Sequence, residues 1–329
     1  MRFLTLAVAW LLLALSPAQV RAEPQTLPRF DHVFVIILEN HGFDDALTNG
    51  PAPFLRELAA TQGLATRYFG VAHPSLPNYL ALIGGDTFGV RDDQPSCHAD
   101  DISDRTPCHR IAGESLADQL AAAGLTFAIY AESLPKTGAL ASVAPSHAEG
   151  ELYAQKHNPF AYFDSFVEKP ERLARMKPYA DLTSDLAAGQ APNFALIVPD
   201  LCHDGHGAQT CRDRDQLIRD YDEFTQEAVA AIRASSAWTK NVAIVVTFDE
   251  GARSLYDAPP SEVARRVAGQ DNHVATLVVT PCGAPSQDDQ RYDHYSLLAT
   301  IEDGFGLKRL RKAATAPVMT GLFARECAR

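Results

Sequence analysis

The sequence predicts an α/β fold with a doubly wound, mostly parallel sheet and helices on both faces. Short and almost continuously apolar segments alternate along the chain with segments of helical periodicity. Continuous apolar runs are typical of strands that are buried on both faces. Strands that alternate with helices imply crossover connections, which join parallel strands. Several apolar segments also end in polar residues, as expected where such a sheet binds a ligand.

The predicted elements follow one another along the chain in a regular order. The strand candidates are residues 33–38, 127–130, 194–198, 242–248 and 274–280. The helix candidates are residues 53–62, 76–83, 114–123, 214–234 and 294–305. Residues 86–112 and 132–165 show neither pattern and are predicted as loops and insertions. Because no Pro-, Gly- or Ser-rich linker divides the chain, we expect one domain over residues 23–329.

The N-terminus has the layout of a secretory signal peptide over residues 1–22. Arg2 precedes an apolar run over residues 3–15, and Val20-Arg21-Ala22 offers a cleavage site. The run is shorter than the stretch of about 20 residues that a membrane-spanning helix needs. An uncleaved anchor is the minor alternative. Cleavage predicts an exported protein, periplasmic or extracellular, that retains no transmembrane segment.

Charge and cysteine content narrow the classes of function. The chain has 29 Lys+Arg against 41 Asp+Glu, and it contains no basic run. This composition argues against nucleic acid as a partner. Six cysteines in an exported chain indicate disulfides, since no CxxC pattern supports a thiolate zinc site. Proximity in sequence predicts the pairs Cys97–Cys108, Cys202–Cys211 and Cys282–Cys327.

Polar residues follow three predicted strands at their carboxyl ends, where open parallel sheets bind ligands. The first strand runs into Glu39 and Asn40, the third into Asp200, and the fourth into Asp249 and Glu250. Oxygen donors suit Mg, Ca or Mn, and an added histidine would favour Zn. The residues after the first and fourth strands are therefore candidate ligands of a divalent metal ion. A solvated acidic turn is the alternative for the fourth.

Ser75 is the candidate nucleophile, since it stands at the start of a predicted helix. Coordination to a metal lowers the pKa of a serine hydroxyl, and a helix N-terminus favours the anion. Asn78 is the candidate contact to a phosphate oxygen. Helix capping is the alternative role for Ser75, and a hydrogen bond in the first helical turn is the alternative for Asn78. His73 either orients Ser75 or is incidental.

A second polar cluster follows the third predicted strand. It contains two carboxylates, Asp200 and Asp204, and two histidines, His203 and His206. These residues could complete a second metal site or contact phosphate, with Asp204 and His206 as the first choices. A solvated loop is the alternative. His273, which precedes the last predicted strand, could reach the same crevice or serve a structural role.

Five short motifs together resemble the bacterial phosphoesterase family. They are Glu-Asn-His-Gly-Phe-Asp at 39–44, His-Pro-Ser-Leu-Pro-Asn-Tyr at 73–79, Asp-Gly-His at 204–206, Asp-Glu-Gly at 249–251 and His-Tyr-Ser-Leu-Leu at 294–298. The family contains secreted acid phosphatases, phosphatidylinositol-3-phosphatase-like enzymes and phospholipases C. Its fold is that of the alkaline phosphatase superfamily. The resemblance covers nearly all of the chain after the signal peptide.

The resemblance implies roles for the same residues. Ser75 would become phosphorylated, and the four residues after the first and fourth strands would hold the catalytic metal. The run from Ser75 to Asn78 also resembles the Thr-Phe-Pro-Asn run of nucleotide pyrophosphatases, in which the threonine attacks and the asparagine binds phosphate. The chain lacks the Cys/Ser-x-Pro-x-Arg pattern of sulfatases, which disfavours sulfate esters.

These observations predict an exported, metal-dependent phosphomonoesterase that works through a phosphoserine. The resemblance implies that the enzyme is an acid phosphatase, with phosphatidylinositol 3-phosphate as a candidate substrate. Its partner would be a small phosphate ester or a phospholipid head group. One alternative is a phosphodiesterase of the phospholipase C type on the same fold. The other is a secreted binding protein that keeps the fold and has lost catalysis.

Overall fold

The computed structural model describes residues 27–251, 272–283 and 285–323. The predicted signal peptide and Cys327 lie outside these residues. The strands are β1 His32–Leu38, β2 Gly63–Phe69, β3 Phe127–Ala131, β4 Val143–Ala144, β5 Tyr153–Ala154, β6 Met176–Pro178, β7 Phe194–Val198, β8 Val242–Phe248, β9 His273–Val279, β10 Ser286–Asp288 and β11 Tyr292–Asp293. The α-helices are α1 Pro53–Thr61, α2 Ser75–Gly84, α3 Leu116–Ala122, α4 Asp164–Val167, α5 Pro170–Leu173, α6 Ala180–Ala187, α7 Arg214–Ala234 and α8 His294–Phe305.

One large sheet organises the described part of the chain. Its strand order is β10-β2-β9-β8-β1-β7-β3-β6, with β11 also paired to β2. The pairings are parallel except for those that β9 makes with β2 and β8. The predicted α/β fold with a mostly parallel sheet is therefore confirmed. Strand β8 ends and strand β9 begins at the same end of the sheet's strands, so β9 runs antiparallel to β8.

The central strands are covered on both faces. Every residue of β7 and β8 is buried, and only His32 of β1 is partly exposed. Since successive side chains of a strand point to opposite faces, apolar cover must exist on each side. The helices form two contact groups, α1 with α6 and α7, and α2 with α3 and α8. Full burial of a side chain such as Phe34 stabilises the fold by about 1.5–3 kcal/mol.

Segments predicted as loops contain short elements and disulfides. Residues 132–165 hold the hairpin β4–β5 and the 3-10 helices Gln155–His157 and Pro159–Tyr162. The predicted disulfides Cys97–Cys108 and Cys202–Cys211 are present. The third predicted pair includes Cys327 and so lies outside the described residues. Within the described ranges, none of the helices combines the length and apolar character that crossing a bilayer requires.

A buried carboxylate of α7 fixes the start of α1. Asp222 is 3% exposed and accepts hydrogen bonds from the backbone N–H groups of Phe54 (2.9 Å) and Leu55 (2.8 Å). Ala52, which precedes the helix, offers no side-chain cap. Asp222 therefore satisfies two of the N–H groups that a helix start leaves without partners.

We expect Asp222→Ala to lower the free energy of unfolding by about 2 kcal/mol, because it leaves these N–H groups buried without acceptors. Urea denaturation followed by circular dichroism measures this change. Glu223→Ala is the matched control, since Glu223 is the next residue and is exposed. Equal stability of the two variants would contradict the prediction.

Candidate active site

Strands β1 and β8 deliver three carboxylates to the carboxyl edge of the sheet. Leu38 pairs with Phe248 at the end of the two strands, so Glu39, Asp249 and Glu250 follow side by side. All three carboxylates are fully buried. The register continues beyond the strands, because the Asp249 N–H donates to the Leu38 carbonyl at 3.0 Å. The parallel pairing thus brings distant acidic residues into one group.

Ser75 lies within this group, at the first residue of α2. Its Oγ donates to Glu39 Oε2 at 3.0 Å and lies 3.5 Å from Glu250 Oε1. The side chain is fully buried. His73 Nδ1 contacts the other oxygen of Glu250. The helix start places its partial positive charge beside the hydroxyl, so an anion there is favoured.

Asn78 shapes the turn that delivers Ser75. Its Oδ1 accepts from the N–H groups of Val71 (2.8 Å) and Ala72 (3.0 Å). Its Nδ2 donates to the carbonyls of Ala72 (2.9 Å) and Pro74 (3.1 Å). Asn78 therefore holds the turn in place. Its contact with phosphate remains a prediction.

The backbone of Asp249 is held from two sides. His294 Nε2 donates to the Asp249 carbonyl at 2.5 Å, and His294 Nδ1 lies 3.0 Å from Tyr68 Oη. Burial lowers the pKa of His294, so the neutral ring serves as donor and acceptor. Gly70 approaches so closely that a Cβ there would lie 2.7 Å from the Asp249 carbonyl. Asn40, predicted as a ligand, donates its backbone N–H to Asp249 Oδ1 at 3.4 Å.

A histidine that the sequence reasoning missed contacts the same group. His157 is 1% exposed, and its Nε2 lies 3.1 Å from Glu39 Oε1. Its Nδ1 lies 3.1 Å from Asp204 Oδ2. The ring stacks on Tyr79 of α2 at 5.3 Å and meets His206 edge-on at 5.6 Å. Asp204 and His206 are the residues predicted to complete a second metal site or to contact phosphate. Both contact His157, which in turn contacts Glu39.

Lys156 is a second residue that the sequence reasoning missed. Its Nζ lies 3.1 Å from His206 Nε2 and 3.2 Å from Asp93 Oδ2. Asp93 Oδ1 in turn accepts from the N–H of Leu76, the residue after the candidate nucleophile. Lys156 thus brings a positive charge to the acidic group. Its segment has no periodicity, so only its mixture of polar and aromatic residues could have drawn attention to it.

Asp200 lies in a different cluster. Its Oδ2 accepts from Ser133 Oγ at 2.9 Å, and its backbone N–H donates to Glu132 Oε2 at 3.0 Å. His203 Nδ1 lies 2.9 Å from the same Glu132 oxygen. Ligand atoms of Asp200, His203 and Glu132 lie within 4.8 Å of one another, whereas the Asp204 side chain contacts His157. The Asp204 N–H nevertheless donates to the Asp200 carbonyl at 2.7 Å. The contact of Asp200 with metal or phosphate remains a prediction.

His273 opens β9 at the same edge of the sheet, as the sequence suggests. Its ring stacks between Phe43 (4.5 Å) and Phe69 (5.0 Å). Its Nε2 lies 2.9 Å from the Thr66 carbonyl. These packing contacts explain the position of the His273 side chain. Its contact with metal or phosphate remains a prediction.

Burial governs the electrostatics of the site. It raises the pKa of Glu39 to about 7, with Lys156 opposing this shift and Glu250 adding to it. Burial also raises the pKa of Asp249 and of Asp204 well above the ordinary value, and the charge of Glu39 contributes to both shifts. Ionised carboxylates crowded in this way need a compensating positive charge.

The acidic group has the properties of a cation site. Glu39 Oε1, Asp249 Oδ2 and Asp204 Oδ2 are buried, and the described residues offer them no hydrogen bond of good geometry. The His157 nitrogens approach Glu39 Oε1 and Asp204 Oδ2 at 3.1 Å without aligning an N–H with either oxygen. Ligand atoms of Glu39, His157 and His206 all lie within 4.8 Å of one another. Carboxylate oxygens with adjoining imidazole nitrogens are ligands of divalent metal ions. The residues therefore fit such an ion.

The sheet architecture, with the site at the carboxyl ends of its strands, indicates the fold class of the protein. A protein of the alkaline phosphatase superfamily from Vibrio parahaemolyticus matches with a TM-score of 0.55 at 16% identity, over 89% of this chain and 72% of that one. Murine ectonucleotide pyrophosphatase/phosphodiesterase 5 matches with a TM-score of 0.53 at 12% identity, over 85% and 96%. The chain thus has the alkaline phosphatase superfamily fold.

Sequence comparison gives the family. The Phosphoesterase family model matches residues 47–308, and the chain belongs to this family. The predicted family is therefore confirmed. A phosphatidylinositol-3-phosphatase of Mycobacterium tuberculosis is 29% identical over 93% of this chain and 87% of that one. A probable acid phosphatase of Kluyveromyces lactis is 28% identical over 85% of this chain, which spans only 59% of that relative.

The His203–Glu132 pair makes stability depend on pH. A hydrogen bond to Glu132 raises the pKa of His203 to about 9. Because this pKa lies above the unfolded value of about 6.5, the stabilisation is complete below pH 6.5 and disappears as the pH rises through 9. The His203 side chain is 44% exposed, so solvent limits the gain to about 1 kcal/mol or less.

We expect His203→Gln to be less stable than the wild type at pH 6 and equally stable near pH 10. Urea midpoints at the two pH values measure the difference. His147→Gln serves as the control, since His147 is also paired with a glutamate but is 75% exposed. A destabilisation of His203→Gln that stays constant with pH would refute the ion pair as its cause.

Proposed function

We propose that this chain is an exported, metal-dependent phosphomonoesterase that works through a phosphoserine on Ser75. The observation that carries the proposal is the position of the Ser75 hydroxyl. It lies at a helix start, 3.0 Å from Glu39 Oε2 and inside a group of buried carboxylates. A hydroxyl in a solvated loop would have no such environment. The names of the relatives, acid phosphatase and phosphatidylinositol-3-phosphatase, agree with this activity.

Ser75 Oγ attacks phosphorus in line with the bond to the departing alcohol. The Oγ–P bond forms as the P–O bond to the alcohol breaks, and the hydroxyl proton passes to the alcohol oxygen, which leaves phosphate on Ser75. Water then cleaves the Oγ–P bond and releases inorganic phosphate and the free hydroxyl. The hydrogen bond from Oγ to Glu39 Oε2 orients the nucleophile before attack. Asn78 contributes by holding the turn, which fixes the direction of the hydroxyl.

Positive groups beside Ser75 bind the phosphoryl oxygens. Lys156 Nζ is the cation that the described residues bring to this edge of the sheet, and His206 and His157 extend from it towards Glu39. The Lys156 ammonium group can donate to oxygens on which charge builds during transfer. The α2 N-terminus adds the partial charge of its free N–H groups.

Glu39, Asp249 and Glu250, with Asn40 beside them, would hold the divalent ion. When bound, the ion supplies charge neutralisation at the phosphoryl group and lowers the pKa of the Ser75 hydroxyl. The protein contributes fixed ligand positions. The Asp249 backbone is held by His294 at 2.5 Å, and the Glu250 carboxylate contacts His73.

The substrate is a small phosphate monoester or a phospholipid head group such as phosphatidylinositol 3-phosphate. The two disulfides fit an oxidising compartment, periplasmic or extracellular. Comparison of p-nitrophenyl phosphate with bis-p-nitrophenyl phosphate separates the two catalytic alternatives. Faster turnover of the diester would indicate a phosphodiesterase of the phospholipase C type.

We expect Ser75→Ala to reduce kcat for p-nitrophenyl phosphate by more than about 1,000-fold, because covalent catalysis is lost with its nucleophile. Acid quenching of the wild type with labelled substrate should trap phosphate on Ser75, identified by mass spectrometry. Ser184→Ala in α6 is the control, since Ser184 is exposed and distant in sequence. A Ser75→Ala enzyme that kept its activity would exclude the mechanism.

We expect EDTA to abolish activity and to lower Tm, because removal of the ion leaves the buried carboxylates without their counter-charge. Addition of Zn²⁺, Mg²⁺, Ca²⁺ or Mn²⁺ one at a time should restore both and identify the ion. Elemental analysis of Asp249→Asn should show less bound metal than the wild type. Full activity in a protein shown to be metal-free would overturn the metal dependence.

A further inference from the structure

A cleft of about 700 Å³ adjoins Lys156 and His206 of the candidate active site. Asp93, Lys156 and His206 line it and also connect it to the active site. Lys156 Nζ contacts the other two residues at 3.2 and 3.1 Å, and Asp93 accepts the N–H of Leu76. Asp93, a residue of the cleft wall, therefore contacts the backbone of the residue that follows Ser75. Its volume falls in the range of about 300–1,000 Å³ that is typical of small-molecule sites.

The walls of the cleft carry hydroxyl groups and carboxylates. Ser103 and Thr106 line one side, and Ser142 and Glu151 line another. Such groups form hydrogen bonds with the hydroxyls of an alcohol, as both donors and acceptors. The apolar residues Ile102 and Val143 lie among them. The lining suits a ligand that presents many hydroxyls and some C–H surface.

A disulfide and hydrogen bonds connect the walls of the cleft before any ligand binds. The Cys97–Cys108 disulfide closes the loop that carries Ser103 and Thr106. Across the cleft, Asp101 accepts from the N–H and from the Oγ of Ser142 at 2.9 and 3.0 Å. A preformed cleft loses little conformational entropy when a ligand enters.

The charges of the lining select against anions. Asp93, Asp101 and Glu151 line the cleft against one lysine, Lys156, which already contacts Asp93. Two histidines, His147 and His206, also line it. Glu151 also contacts His147, whose side chain is 75% exposed. A ligand with further negative charge would therefore meet repulsion, whereas a neutral one would not.

We propose that this cleft binds the alcohol portion of the substrate and selects a neutral polyhydroxylated alcohol, a sugar or polyol, over one with additional anionic groups. The inference rests on the proposed phosphomonoesterase function. It names the substrate class of the site as monophosphates of neutral polyols. It thereby favours a small phosphate monoester over phosphatidylinositol 3-phosphate, whose alcohol portion carries an anionic phosphodiester. The phosphate is held at Ser75, and the alcohol lies against the walls that contain Thr106 and Glu151.

The test compares kcat/KM for glucose 6-phosphate and glucose 1,6-bisphosphate, whose leaving groups differ by one anionic phosphate group. We expect the wild type to prefer the monophosphate. Glu151→Lys should raise the bisphosphate-to-monophosphate ratio by about tenfold, since it removes a repulsive charge and adds an attractive one. Thr106→Trp should raise KM for the monophosphate about tenfold by filling the cleft, with kcat little changed. Glu227→Lys, on exposed α7 surface, is the matched control.

Inhibition by inorganic phosphate separates the cleft from the phosphate site. Its inhibition constant should be the same in the wild type, Glu151→Lys and Thr106→Trp, because phosphate has no alcohol portion. An unchanged substrate ratio in Glu151→Lys together with an unchanged KM in Thr106→Trp would overturn the inference while leaving phosphatase activity intact. A wild type that hydrolyses neither sugar phosphate nor p-nitrophenyl phosphate would instead reject the proposed function.

Discussion

The buried carboxylate of Glu39 is the constraint on which the rest of the site depends. It follows the central strand β1, contacts Ser75 through one oxygen and His157 through the other, and has no exposed surface. A carboxylate removed from water must receive compensation from its surroundings. Asp249 and Glu250, equally buried, increase that demand. In the proposed function a cation meets this demand, while the hydroxyl of Ser75 remains within reach.

The sequence predicts the fold well where a strand is buried on both faces. The continuous apolar runs of β1, β7 and β8 gave their positions to within a residue, and the polar residues after them lie together at one edge. Strand β2 was missed because Thr66 and Arg67 interrupt its apolar pattern at an irregularity of pairing with β9. Pairing with neighbours, which the local sequence does not contain, stabilises such a strand.

The sequence was less informative about the histidines. Position beside predicted strands drew attention to His206 and His273, yet His273 packs between two aromatic rings and His206 approaches Glu39 beside His157. His157 belongs to a 3-10 turn with no periodicity, so its burial depends on packing against Tyr79. Tertiary contacts decide whether a histidine binds a ligand or supports neighbouring residues. His294 illustrates this point, since its ring holds a backbone carbonyl of the site.

The pairing of β1 with β7 and β8 has a consequence for how the protein folds. Val33 pairs with Phe194 on one side and with Ala243 on the other, so the centre of the sheet forms only after most of the chain is available. Contacts between residues so distant in sequence slow folding, because the entropy of closing long loops opposes them. Partly assembled sheets also expose apolar edges that aggregate. Catalytic competence is therefore acquired late in folding and by the chain as a whole, so a fragment that retains Ser75 but lacks β8 would have no active site.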